Sequence, residues 1–205
     1  MPRLPDGVEL PDAILLREGD GRVDTPGDLV ALDRDTAKHQ LDLEWWKPAS
    51  GLPPKARRDE SDRGWEWHKD IGTLRAEGGN AGYAWAVRAG GRIQGAILYQ
   101  LPAVSELEPD QATLFVYRLA TAPWNRAWLN EPRAFAGVGT GLLRFAVYHS
   151  YRFGIGGRVT LESADDPELV EWYTGFGFRL VSHGGDGITV LELTPEAAAA
   201  HLTGL

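Results

Sequence analysis

The chain contains no cysteine. That excludes disulfides, thiolate catalysis, cysteine-ligated zinc and iron–sulfur clusters together. Lysine is scarce, four of the 21 basic residues, and 29 acidic residues leave a net charge of −8. Nucleic-acid binding through neutralised phosphates is not expected of such a chain. No apolar run approaches the roughly 18 residues of a membrane span, so no membrane partner is expected. Residues 1–12 lack a basic start followed by an apolar stretch. No secretory signal is read there, and a cytoplasmic location is expected. The five histidines, His39, His68, His149, His183 and His201, stand at no ligand spacing to one another, so no metal site is assigned. His149 reads as a surface or packing residue.

What is present is ordinary for a folded domain: 205 residues, 43% hydrophobic and 24% charged, which fits one domain or one domain with a lobe. Residues 13–18 read as a strand, 28–46 as a helix carrying Leu29, Leu32, Leu41 and Leu43, 47–64 as a Pro-bearing loop, and 65–77 as a second helix. From residue 83 the pattern sharpens. Strands 83–88 and 92–100 flank the hairpin turn Ala89-Gly90-Gly91, and 112–121 is the longest apolar strand. A loop, 122–136, precedes a helix over 139–152 and a strand over 158–163. Asp166 caps a short helix with Pro167 in its first turn, read to end at Gly175. Strands 178–182 and 188–193 flank the glycines 184–187, and Thr194 caps a last Ala-rich helix.

The densest chemical signal is Gly137-Val138-Gly139-Thr140-Gly141-Leu142-Leu143, ahead of a helix. Glycines allow a positive-φ turn and close backbone approach, and the first amides of a helix lack internal partners and favour an anion. A tight packing turn would use the same residues. A P-loop would need a Lys, and none follows Lys69. A dinucleotide fingerprint would need a third glycine at Leu142, directly after a strand.

A third reading fits best. The loop Ala134-Phe135-Ala136-Gly137-Val138-Gly139-Thr140-Gly141-Leu142-Leu143 and, downstream, Trp172-Tyr173-Thr174-Gly175-Phe176-Gly177-Phe178 make Leu114–Phe178 resemble the GNAT superfamily of N-acyltransferases. Ala134 stands where that family has Gln or Arg, with Arg133 one residue earlier as a substitute. The resemblance implies an α+β fold in αβα layers: a mixed, mostly antiparallel sheet with two splayed strands, 112–121 and 158–163, and helices on both faces. It implies a single domain over 1–205. Residues 1–80 would form the acceptor side, 81–193 the sheet and acyl-CoA core, and 194–205 a terminal helix.

The same resemblance implies an acetyl-CoA-dependent N-acetyltransferase that acts without a covalent intermediate. The amides of Val138, Gly139, Thr140 and Gly141, after the turn at Gly137, would hold the diphosphate with Arg133 nearby. Backbone groups of Ala120 and Thr121 would meet the pantetheine arm. Tyr173 would protonate the departing thiolate. Glu162 is the first candidate base, with Tyr117 or a water chain as alternatives. The acceptor would be a primary amine on a small molecule or a protein, and net acidity favours a cationic one. Trp45, Trp46, Trp65 and Trp67 either line an acceptor pocket or fill a core. Trp124 and Trp128 are expected to be exposed, covering the acyl group or meeting a partner subunit in a homodimer. The rival reading is a non-catalytic module of the same fold that binds CoA or a protein.

Overall fold

The structure, a computed structural model, describes residues 13–19, 24–46, 61–76, 81–129, 132–183 and 187–202. Most of the expected loop 47–64, Asn130, and the turn at Gly184–Asp186 lie outside the described residues. The chain forms β1 (Ala13–Glu18), β2 (Asp24–Ala31), α1 (Arg34–Thr36, widening into π-type turns over Ala37–Asp42), α2 (Trp67–Ala76), β3 (Ala81–Ala89), β4 (Arg92–Val104), β5 (Ala112–Thr121), β6 (Phe135–Ala136), α3 (Val138–Arg152), β7 (Val159–Ala164), α4 (Pro167–Phe176), β8 (Arg179–His183), β9 (Ile188–Leu193) and α5 (Pro195–Ala199). The class is α+β, with an open, mixed, mostly antiparallel sheet.

Two compact units share β4, β5 and α3. The first holds Pro11–Leu98 and Arg118–Leu142, with strands in the order β6-β1-β2-β3-β4. Its core is Leu32, Leu41, Trp45, Trp67, Ile71, Ala96 and Leu98 among others. Strand residues alternate between faces. Ala96 and Leu98 therefore turn toward α1 and α2, while Gly95 turns toward Val138 and Leu142 of α3. Helices thus cover both faces of this sheet. The second unit holds Tyr99–Tyr117 and the chain from Leu143, in the order β4-β5-β7-β9-β8. Here β5 and β7 run parallel, and the β7–β9 and β8–β9 pairs antiparallel.

Two expected boundaries are corrected. Residues 28–31 are strand, not helix. The spacing of Leu29 and Leu32 suggests a helix, but β2 pairs with both β1 and β3, and sheet pairing overrides local propensity. The helix starts only after Asp33, whose carboxylate accepts from the Thr36 amide at 2.7 Å. At the other end of the chain, α4 runs through Gly175 and stops at Gly177. Gly177 has φ +108°, and the Phe178 amide closes back on the Tyr173 carbonyl, a left-handed C-terminal cap.

Candidate functional site

In the first unit the glycine loop is a built turn. Gly137 has φ +81°, which turns the chain from β6 into α3. The Gly141 amide donates to the Gly137 carbonyl at 2.8 Å. That corrects one expectation: Gly141 has no free donor. The amides of Val138, Gly139 and Thr140 open α3, where a helix leaves its first donors without internal acceptors. Gly141 serves packing instead. A Cβ there would lie 2.2 Å from Ile14 Cγ2.

Gly95, which sequence reasoning passed over, does the same from β4. A Cβ on it would lie 2.4 Å from Val138 Cγ1 and 3.0 Å from Leu142 Cδ1. A lone glycine inside a strand is a signal of close approach. Gly95→Ala and Gly141→Ala are each expected to cost about 1–3 kcal/mol of stability through overpacking, read as a lowered denaturant midpoint.

The end of β5 is clamped by groups the sequence did not reveal. Arg126 donates through Nε (3.1 Å) and Nη2 (2.7 Å) to the Thr121 carbonyl, and its guanidinium also pairs with the buried Asp62. The Thr121 carbonyl is therefore engaged by the protein's own Arg126. Ala120 is buried one residue earlier. Asn125 donates to the Gln94 carbonyl (2.9 Å) and accepts from the Phe135 amide (2.9 Å). It thereby ties the start of the long loop to its end. Ala134, at the position where a Gln or Arg was sought, is held by its backbone to Trp124 and Gly19. Arg133 is exposed and has no ion-pair partner among the described residues.

Trp45 and Trp67 are core residues, 6.0 Å apart edge to face, with Trp46 and Trp65 packed against that core. Trp124 is half-buried, not exposed: its Nε1 donates to Gln94 Oε1 at 2.8 Å, and Arg92 lies over its ring. Trp128 is exposed, 72% of its surface.

In the second unit, the β5–β7 ladder pairs Leu114 with Val159, Phe115 with Thr160 and Val116 with Leu161. It stops there among the described residues, although β7 continues to Ala164 and keeps pairing with β9 on its other edge. Glu162 is the first residue past the last rung, and its side chain is exposed. Tyr117, the first past the rung on β5, is partly exposed. Tyr173 is 6% exposed, against Trp172 and Phe178. Its hydroxyl has no hydrogen-bond partner among the described residues, and burial pushes the phenol well above its ordinary value. His149 is a packing residue. Tyr99 Oη lies 2.5 Å from its Nδ1, and burial, with Arg152 nearby, brings it down to about 4, so the ring is neutral at physiological pH.

No protein-family model matches the chain, and no curated protein matches it in sequence. Solved structures do. The GNAT domain of PAT from S. lividans superposes with a TM-score of 0.58 at 16% identity, over 88% of this chain and 94% of that one. An acetyltransferase from Thermus thermophilus gives 0.51 at 19%, over 81% and 95%. The PaiA N-acetyltransferase from Thermoplasma acidophilum, in complex with coenzyme A, gives 0.51 at 15%, over 83% and 99%. The chain shares its fold with these proteins.

Proposed function

We propose that the protein is an acyl-CoA-dependent N-acetyltransferase that moves the acetyl group of acetyl-CoA to a primary amine of a small molecule or protein. The observation that carries this is the open first turn of α3. Val138, Gly139 and Thr140 present amides behind the positive-φ Gly137, which is the donor array a diphosphate needs. The exposed Arg133 adds a cation close by in sequence. The amine nitrogen attacks the thioester carbonyl, the C–N bond forms as C–S breaks, the nitrogen loses a proton and the thiolate gains one. Tyr173 is the acid, its proton retained by burial. Glu162, exposed beyond the last β5–β7 rung, is the base, directly or through water.

Calorimetric titration with CoA and acetyl-CoA tests the binding half, and thiol release with an amine panel tests the chemistry. Gly139→Asp sets a negative charge in the anion-binding turn and is expected to weaken CoA binding about tenfold or more. No heat with either nucleotide from the folded wild type would rule the proposal out. Heat without turnover on any amine would favour the binding-module reading.

A further inference from the structure

A cavity of about 220 Å³ in the first unit is lined by Gln40, Glu44, Gly91, Arg92, Ile93 and Trp124. It holds roughly seven water volumes, enough for a ligand of on the order of seven heavy atoms. Gln40 lies in the π-type turns that end at Asp42, and Glu44 follows two residues beyond them. Arg92 follows the positive-φ turn Gly90-Gly91, and its guanidinium is held 4.2 Å from the centroid of the Trp124 ring. Trp124 is itself fixed through Nε1 to Gln94.

The cavity therefore carries a carboxylate, a carboxamide and a stacked guanidinium. Opposite charges line one small space, yet Glu44 and Arg92 form no ion pair with each other or with any other described residue. A ligand bridging them must carry both complementary charges. Charge-assisted bonds at each end would then add their strengths, and the stacked guanidinium is pre-organised for a planar acid. An amine without an acid gains only the Glu44 contact, and an acid without an amine only the Arg92 contact.

We propose that this cavity binds a small zwitterion, an amino-acid-like molecule whose ammonium faces Glu44 and Gln40 and whose carboxylate faces Arg92. That such a molecule is the acceptor amine rests on the acetyltransferase reading; that it binds does not. Trp124 belongs to the segment directly after β5.

The test titrates the full chain calorimetrically with glycine, β-alanine and γ-aminobutyrate, and with butylamine and butyrate, in the absence of any acyl donor. At least one amino acid is expected to bind about tenfold tighter than butylamine or butyrate. Arg92→Gln should erase the preference over butylamine, and Glu44→Gln the preference over butyrate. Both side chains are exposed, so neither change threatens folding. A parallel CoA titration separates the two proposals. Heat with CoA but no preference for any amino acid, or a preference that both variants leave intact, overturns the zwitterion site alone. Heat with an amino acid but none with CoA supports the site and sinks acetyl transfer.

Discussion

Replacing Tyr173 with phenylalanine is expected to slow thiol release from acetyl-CoA by about a hundredfold or more, with CoA affinity and unfolding midpoint nearly unchanged. The argument starts from packing. Tyr173 sits in α4 with its ring against Trp172, 4.9 Å between centroids, and Phe178, 5.7 Å. Phenylalanine keeps that ring. The hydroxyl it deletes has no protein partner among the described residues, so no internal hydrogen bond is lost and stability should hold. What is lost is a proton donor whose burial keeps it protonated beyond the ordinary tyrosine range. The wild-type rate should therefore show no alkaline fall attributable to this phenol below about pH 10. Equal kcat for the variant and the wild type would show that Tyr173 only packs.

Glu162→Gln should behave differently. It removes a base, so the rate should fall most at low pH, where an unassisted amine stays protonated. The carboxylate is exposed and in no ion pair among the described residues, so its loss should not unfold the protein. Rate profiles of the two variants against pH would separate the acid from the base.

Some of this architecture was legible because it is local. Strands 13–18, 112–121 and 188–193 have the bounds that alternation and turn residues indicate. The caps at Asp166 and Thr194 are where their neighbours place them. The glycine loop ahead of α3 was readable as a turn, and Gly137 is the glycine in it with positive φ. What escaped is non-local. Leu29 and Leu32 are spaced as in a helix, and only the pairing of Leu29 with Val87 across the sheet makes Leu29 a strand residue. Trp124 looks like an exposed loop residue until Gln94, thirty positions earlier, accepts its indole proton. Asp62 and Arg126 are 64 residues apart, and nothing in either neighbourhood signals the pair that takes up the Thr121 carbonyl. The amide donors of the site were readable as a motif. Which of them stay free was not, because that depends on where the first α3 hydrogen bond closes.

Glu192→Ala is expected to be the most destabilising single change, on the order of 3–5 kcal/mol, a large share of the 5–15 kcal/mol typical of a domain. Glu192 is fully buried on β9. It accepts from Ser105 Oγ (2.5 Å), the Glu106 amide (2.8 Å), Arg158 Nη1 (2.7 Å) and Thr160 Oγ1 (2.9 Å). These bonds tie the β4–β5 connection to β7 and β9. Arg158 is also buried and keeps only the exposed Glu108 as a second anion. Deleting Glu192 strands that guanidinium in a dry interior, along with the donors of Ser105 and Thr160. Burial alone would raise the carboxyl's pKa, but the hydrogen bonds from Ser105, Arg158, Glu106 and Thr160 together hold it below the ordinary carboxylate value. Its contribution is thus fully present above the unfolded-state pKa and is lost as pH falls through the lower folded-state value. Denaturant midpoints measured from pH 7 downward should drop for the wild type in that acid window, and the variant should lack this part of the slope. If the stranded cation is the cause, joining Glu192→Leu to Arg158→Leu should restore much of what either change alone removes. Additive losses in that cycle would mean that the two side chains stabilise the fold separately, by packing, and that the ion pair contributes nothing.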